Sequence, residues 1–309
     1  GFVSCRSCGE VMKCPHCDVS LSEHKGGRLI CHYCGYTQPM PKLCPKCGSK
    51  YILGFKAGTQ QIEEKLKELY PGVRTLRMDA DTTRTKDSYE KILSSFANGE
   101  ADVLIGTQMI VKGHDFPKVT LVGILAADLS LNASDYRAGE RTFQLLTQAV
   151  GRAGRGALPG EAVIQTYQPD HYAITCAAAQ DYESFYQEEI LYRELSGYPP
   201  VAHMLAVQIY GKEEENVKQL ALRLTDVVKS NMDFLSGKQK EQSNKKIQVL
   251  GPAPANISKI NDIYRYVFYV KHAEYDVLVE VKDRLEETLR QWQPRQMSIQ
   301  FDFDPVSVL

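Results

Sequence analysis

Four C-x-x-C pairs crowd the first fifty residues of this 309-residue chain, and no other feature limits its fold as tightly. The pairs are Cys5/Cys8, Cys14/Cys17, Cys31/Cys34 and Cys44/Cys47. A two-residue gap lets both sulfurs of a pair reach one metal ion, so the repetition points to zinc instead of a disulfide framework. That usage implies a reducing, cytoplasmic setting. The ninth cysteine, Cys176, lies in a helical, Ala-rich stretch and reads as a core or half-buried thiol.

Four pairs combine in three ways. Cys14/Cys17 and Cys31/Cys34 enclose thirteen residues, Asp18 to Ile30, enough for a small hairpin. Joining Cys5/Cys8 to Cys14/Cys17 leaves only Gly9 to Lys13 to turn between them, which is tight. We favour a nested arrangement, although spacing alone does not settle it. An inner zinc takes Cys14, Cys17, Cys31 and Cys34, and an outer zinc takes Cys5, Cys8, Cys44 and Cys47. Gly9, Gly35 and Gly48 each follow a second cysteine, where a knuckle calls for positive φ. Four thiolates close each site to water, so both are structural. His16 and His32 sit inside knuckles, but the thiolate sets are already complete, and both read as solvent-facing loop residues.

Charge restricts the role of this region. Residues 1–50 hold seven basic and three acidic side chains, a net +4. Two tetrathiolate zinc centres offset about that amount. Shape-based or protein contacts are then as plausible here as an electrostatic grip on DNA. The whole chain has formal charge −1, which excludes a globally basic nucleic-acid binder and makes any DNA contact local. No apolar run approaches the ~20 residues of a membrane-spanning helix, so no membrane partner is expected. The opening Gly1-Phe2-Val3 lacks Met and a charged leader and resembles a cut inside a larger protein.

From Gly58 onward helix and strand patterns alternate. Gly58-Thr59 opens an amphipathic helix with Ile62, Leu66 and Leu69 on one face, closed by Pro71-Gly72. Val73 to Met78 reads as a strand and Thr83 to Phe96 as a helix. Val103 to Ile105 and Val119 to Leu125 are continuous apolar strands of the kind buried on both faces of a parallel sheet. Ser134 to Val150 reads as a helix and Ala162 to Thr166 as a strand, completing an α/β domain with a mostly parallel sheet.

Tyr182 to Leu195 forms an acid-rich helix, broken at Gly197-Tyr198-Pro199-Pro200, where we place a domain boundary. Beyond it the predicted order is strand (Met204 to Tyr210), helix (Glu214 to Phe234) and two strands (Ile247 to Leu250, Tyr264 to Val270). A helix (Tyr275 to Leu289) and a strand (Met297 to Phe303) complete it. This β-α-β-β-α-β order is ferredoxin-like, an α+β layout with two helices on one face of an antiparallel sheet. The polar, Lys-rich stretch Ser236 to Lys246 reads as a solvated loop, with a DNA-backbone arm as the alternative. Tyr264, Tyr266 and Tyr269 suit stacking on bases, although strand alternation sends at least one into the core. The predicted division is a zinc module (residues 1–54), an α/β lobe (55–196) and a C-terminal domain (197–309).

Two segments concentrate functional residues. One runs Ile105-Gly106-Thr107-Gln108 to Lys112-Gly113-His114-Asp115-Phe116-Pro117; the other is Gln148-Ala149-Val150-Gly151-Arg152-Ala153-Gly154-Arg155. Together they resemble motifs V and VI of superfamily-two helicases. With four C-x-x-C pairs upstream, the whole chain resembles the primosomal protein N′ (PriA) family of replication-restart DNA helicases. The resemblance implies a RecA-like second motor lobe behind a double zinc-ribbon module. It implies that Thr59, Thr107 and Gln108 hold nucleic acid, that Gly113 and Asp115 approach the nucleotide, and that Arg152 and Arg155 act as arginine fingers linked through Gln148. A hydroxyl and an amide at the carboxyl edge of a sheet suit sugar-phosphate contact without base reading. Two arginines three residues apart share one side if the segment is helical.

The family further implies ATP and magnesium as cofactors of the full-length protein. Its implied partners are forked and single-stranded DNA, single-strand-binding protein, other primosome proteins and an N-terminal helicase lobe, in a nucleoid-associated setting. No G-x-x-x-x-G-K-[ST] phosphate loop and no acidic Walker-B box occurs in these 309 residues, so this chain is expected not to hydrolyse ATP alone. A different class of function, a non-catalytic zinc-ribbon module that binds nucleic acid or a partner, is the alternative.

Overall fold

The computed structural model describes residues 3–5, 7–24, 27–54, 58–79, 82–83, 86–111, 116–132, 135–156, 158–230 and 246–306. Two compact units emerge: Phe55–Glu189, and Phe2–Gly54 together with Ile190–Leu309.

Short pieces suffice for the cysteine-rich region because its loops are fixed at the cysteines. Strands β1 (Val3–Cys5) and β5 (Ile52–Gly54) pair antiparallel, bringing the two ends of the region together. Strands β2 (Ser22–His24), β3 (Arg28–Ile30) and β4 (Thr37–Pro39) form a three-stranded meander. Its core combines Val3, Met12, Leu21, Leu29 and Ile52 with buried cysteines.

In the α/β unit, helix α1 (Thr59–Leu69) leads to β6 (Thr75–Met78), and α2 (Lys86–Ala97) leads to β7 (Val103–Gly106). Strands β6 and β7 pair in parallel, Met78 opposite Gly106. Next come β8 (Leu121–Ile124), α3 (Asp128–Leu131), α4 (Ala138–Val150) and β9 (Glu161–Ile164), with β8 and β9 again parallel. Helices α5 (Tyr172–Ala179) and α6 (Tyr182–Ser196) follow. Phe143 of α4 stacks on Phe185, ring centroids 4.0 Å apart, above Ala173, Ile174 and Ala177. Cys176 packs half-buried beside them.

Two expectations need correction here. The apolar strand at 119–125 is not covered on both faces among the described residues: Leu121, Leu125 and Val163 are more than half exposed. Apolar composition marks a strand that can be covered; in this pair Ile124 and Ile164 pack against the cluster of Phe143, Leu146 and Ile174. The helix expected from Ser134 begins at Ala138, after Asp135 and Arg137 form a turn in which the carboxylate accepts from the Arg137 N–H at 2.9 Å.

The C-terminal part matches its predicted order. Strands β10 (His203–Gly211), β11 (Gln248–Ile260), β12 (Ile263–His272) and β13 (Met297–Phe303) form one antiparallel sheet in the order β11-β12-β10-β13. Helices α7 (Glu214–Ser230) and α8 (Tyr275–Trp292) pack on one face, against Leu205, Val207, Ile209, Phe268 and Val270. Asp304 ties off the last strand, its carboxylate accepting from the Met204 N–H at 2.7 Å and meeting His203 Nδ1 at 2.8 Å. Strand β11 runs ten residues beyond the predicted Leu250, to Ile260. Its register shifts after Leu250 and again after Pro254, and those irregularities hide the alternation. Prolines are tolerated because β11 is an edge strand. The Lys-rich stretch at 236–245 lies outside the described residues.

Candidate metal centres and the motor-lobe edge

Each C-x-x-C pair folds into the same knuckle. The N–H of the leading cysteine donates to the carbonyl five residues on: Cys5 to Glu10, Cys14 to Val19, Cys31 to Tyr36 and Cys44 to Ser49, at 2.8 to 2.9 Å. In three knuckles the residue after the second cysteine is a glycine at positive φ, and its N–H donates back to the leading cysteine's carbonyl. These are Gly9, Gly35 and Gly48, at φ 70 to 76°, a conformation that glycine adopts without a Cβ clash. The fourth knuckle has Asp18 at that position.

The knuckles gather the cysteines as two quartets. Cys5, Cys8, Cys44 and Cys47 form one and Cys14, Cys17, Cys31 and Cys34 the other, with all sulfurs of a quartet within 4.8 Å of one another. This is the nested arrangement. Sγ–Sγ distances are 3.6 Å for Cys5–Cys47, 3.7 Å for Cys8–Cys44 and 3.6 Å for Cys14–Cys34. A tetrahedron with Zn–S bonds of about 2.3 Å has edges of about 3.8 Å, whereas a disulfide needs about 2.05 Å. The two quartets therefore fit structural zinc ions.

Backbone donors favour one thiolate in each quartet, while the thiols of Cys8 and Cys17 are pushed up to about 12 beside the neighbouring sulfurs. Burial opposes ionisation of Cys5, but the N–H groups of Cys8 and Ser7 outweigh it and hold the thiol down at about 6. Cys31 is likewise buried, and the Cys34 and Tyr33 N–H groups hold it at about 7. In each quartet one sulfur thus favours the charged form that binds metal.

His16 is not a ligand, but neither is it a bare loop residue. Its Nδ1 meets the Asp262 carboxylate at 2.7 Å, and its ring stands edge-on to Tyr36 at 5.4 Å. Sequence reasoning missed this contact because Asp262 is 246 residues away. The one available signal was the aspartate standing where three other knuckles carry glycine.

In the α/β unit, Thr59, Thr107 and Gln108 all lie at the carboxyl edge of the β6–β7 pair. Thr59 opens α1, and its hydroxyl donates to the carboxylate of Asp79, just past β6. Thr107 follows β7 directly, and Gln108 begins a 3-10 turn, Gln108–Val111; both side chains are exposed. Close packing fixes this edge, since a Cβ on Gly106 would lie 2.6 Å from the Met78 carbonyl oxygen. Further down, Glu63 accepts from Lys67 and Thr75, which lowers its pKa. Gly113 and Asp115 lie outside the described residues, as does His114.

Gln148 is exposed on the last turn of α4. Arg152 and Arg155 lie beyond the helix, which stops at Val150, so the helical condition for their shared side is not met. They are carried on a turn in which Arg152 N–H donates to the Ala149 carbonyl and Gly154 has φ 72°. Arg152 is half-buried; Arg155 is exposed and its Nε donates to the Gly151 carbonyl at 2.6 Å. The loop is pressed against the chain leading into β8. Gly154 N–H donates to the Val119 carbonyl at 3.0 Å, and a Cβ on Gly156 would lie 2.1 Å from the Pro117 oxygen. Within the loop, a Cβ on Gly160 would lie 2.0 Å from the Gly154 nitrogen. Those contacts join the two functional segments.

Comparison with known proteins covers nearly the whole chain. Residues 14–39 match the PriA DNA helicase Cys-rich region domain, 43–157 the helicase conserved C-terminal domain, and 194–306 the Primosomal protein N C-terminal domain. The chain is 43% identical over 310 residues to a protein named Replication restart protein PriA from Bacillus subtilis, covering 100% of this chain and 37% of that protein. A Synechocystis protein of the same name is 40% identical, over 99% of this chain and 36% of its own length. One from Chlamydia muridarum is 42% identical over 87% of this chain and 35% of its own. The chain thus spans little more than a third of the length of these relatives.

Proposed function

The chain belongs to the PriA family of replication restart proteins, and on that premise we propose that it supplies the rear part of an ATP-dependent 3′→5′ DNA helicase. The proposed division is a zinc module at residues 1–54, a second motor lobe at 55–196 and a DNA- and partner-binding domain at 197–309. The whole protein restarts stalled forks and helps assemble the primosome, acting on forked and single-stranded DNA with single-strand-binding protein near the nucleoid.

The observation that carries this reading is the packing of the 151–160 loop onto residues 117–119. Such packing couples the segment bearing Arg152 and Arg155 to the segment that begins at Thr107. In our reading Thr59, Thr107 and Gln108 hold the sugar-phosphate backbone, with the Thr59 hydroxyl pinned by Asp79. A hydroxyl and an amide can grip any sequence, as translocation requires. Arg152 and Arg155 stabilise charge on the γ-phosphoryl group of a nucleotide held by an opposing lobe. Gln148 links them to that site, and Gly113 and Asp115 approach the nucleotide from the other segment. ATP and magnesium are bound mainly by the opposing lobe, where they supply the phosphoryl-transfer chemistry. The two zinc ions hold the knuckles and take no part in it.

Reconstitution tests this. The chain is mixed with the amino-terminal remainder of a PriA-family protein, and DNA-stimulated ATP hydrolysis is followed. Activity should appear only in the mixture and fall by about 10³-fold or more in Arg152→Ala. Full activity in both Arg152→Ala and Arg155→Ala would refute the motor role of the loop.

A further inference from the structure

The four knuckles are not equivalent. At Cys5, Cys31 and Cys44 the amide of the following glycine closes back on the leading cysteine's carbonyl, at 2.9 to 3.0 Å. At Cys14 the corresponding residue is Asp18, whose N–H donates instead to the carbonyl of Lys259 at 2.9 Å. Lys259 belongs to β11, more than two hundred residues away in the chain but in the same compact unit.

The same hairpin makes further contacts on this knuckle. Asn261 and Asp262 join β11 to β12 as a two-residue turn, both at positive φ (50° and 59°). The turn directs the Asn261 N–H at the Cys17 sulfur, 3.2 Å away, and the Asp262 N–H at the His16 carbonyl, 2.9 Å away. Lys259 Nζ reaches the Pro15 carbonyl at 3.2 Å, and Ser258 donates to the Asp18 carboxylate at 2.9 Å. Ile260 packs into the module's apolar core. Among the described residues the outer quartet has no counterpart: Cys8 and Cys47 are exposed.

We propose that the β11–β12 hairpin tip is an outer-shell clamp on the inner metal centre, completing the one knuckle that cannot close on itself. The N–H to sulfur bond shares the negative charge of a ligating thiolate and fixes its direction, as outer-shell donors do at metal sites. Apolar cover from Ile260 keeps water and reagents off Cys17. The inner zinc is therefore released more slowly than the outer one, and its retention reports whether the C-terminal domain is docked. Asn261 and Ile260 are positioning residues, not ligands.

The test uses the zinc-loaded chain, a chelator and pulsed N-ethylmaleimide, with alkylation of each cysteine read by peptide mass spectrometry. Cys8 and Cys47 should be modified first, and Cys14, Cys17, Cys31 and Cys34 later. Ile260→Glu should speed modification of the inner four by about tenfold or more and leave the outer four unchanged, so that the outer site is an internal control. The milder Lys259→Ala/Asp262→Ala variant should give a smaller change of the same kind, with the melting of the C-terminal sheet unaltered. Asp18→Gly, which gives the fourth knuckle the residue of the other three, should recover part of the loss in the Ile260→Glu background. Equal release of both quartets in the unaltered chain, or equal acceleration of both in Ile260→Glu, would overturn the proposal.

Discussion

The zinc module and the C-terminal sheet share one compact unit but reach order by different means. In the module, Val3, Leu21 and Leu29 are wholly buried, yet they sit among cysteines, Val3 and Leu29 on strands of only three residues. The C-terminal sheet buries Leu205, Val207, Ile209 and Phe268 under two helices, with strands of seven to thirteen residues and no cysteine. A region of about fifty residues buries too little apolar surface to be secure by itself, and metal ligation supplies the remainder. The sheet needs no such help. What differs is where cooperativity resides: in bonds to an ion in one case, in side-chain packing in the other.

Metal removal is the strongest way to break that contrast. Structural zinc contributes on the order of 10–16 kcal/mol in small metal-organised folds. Exhaustive chelation should abolish amide protection in residues 3–54 while β10, β12 and both helices of the sheet keep theirs. Loss of both together would mean that the two cores fold as one.

Phe268→Ala should act the opposite way. The ring is fully buried, so its loss should lower the stability of the sheet by about 3–5 kcal/mol in a denaturant titration. Zinc content should stay at two ions per chain, one for each quartet. Leu21→Ala, equally buried but in the module, should cost about 2–5 kcal/mol. Because folding and ligation are linked there, the cost should appear as weakened zinc affinity in a competition titration and leave the sheet's unfolding midpoint in place.

The smallest effect concerns neither core and serves as a baseline. Arg74 donates to Asp102 at 2.6 and 3.1 Å in the α/β unit, holding that carboxyl down at about 2. A depressed carboxylate stabilises the fold above its usual range and loses that contribution as pH falls toward 2. The small gap in urea midpoint between Asp102→Asn and the unaltered chain should therefore shrink from pH 6 to pH 2. Both measures that follow the zinc module and the sheet should be indifferent to the substitution.

The sequence was legible where one physical rule dominates. Cysteine spacing marked four metal-binding pairs and favoured the nested quartets, because a C-x-x-C pair can present both sulfurs in only a few ways; the fold sets the pairing. Apolar periodicity gave the β-α-β-β-α-β order, with Met297–Phe303 matched end to end. It failed on β11, where Pro252, Pro254 and two register shifts disguised a strand running to Ile260. The shared side that Arg152 and Arg155 would have on a helix does not apply, because α4 ends at Val150 with Gly151 as its cap and both arginines follow on a turn. The docking of Asn261 and Asp262 on the Cys14–Cys17 knuckle was not legible at all. A backbone N–H to a distant sulfur leaves no pattern along the chain, apart from the missing glycine at Asp18.

Native mass spectrometry of the chain prepared without added metal tests the central claim, that two separate four-cysteine zinc sites organise the amino-terminal module. The account predicts a mass corresponding to two zinc ions, falling by one ion in Cys14→Ser and by one in Cys5→Ser. A metal-free mass reduced by the hydrogens of disulfide formation, or loss of both ions from either single substitution, would contradict it.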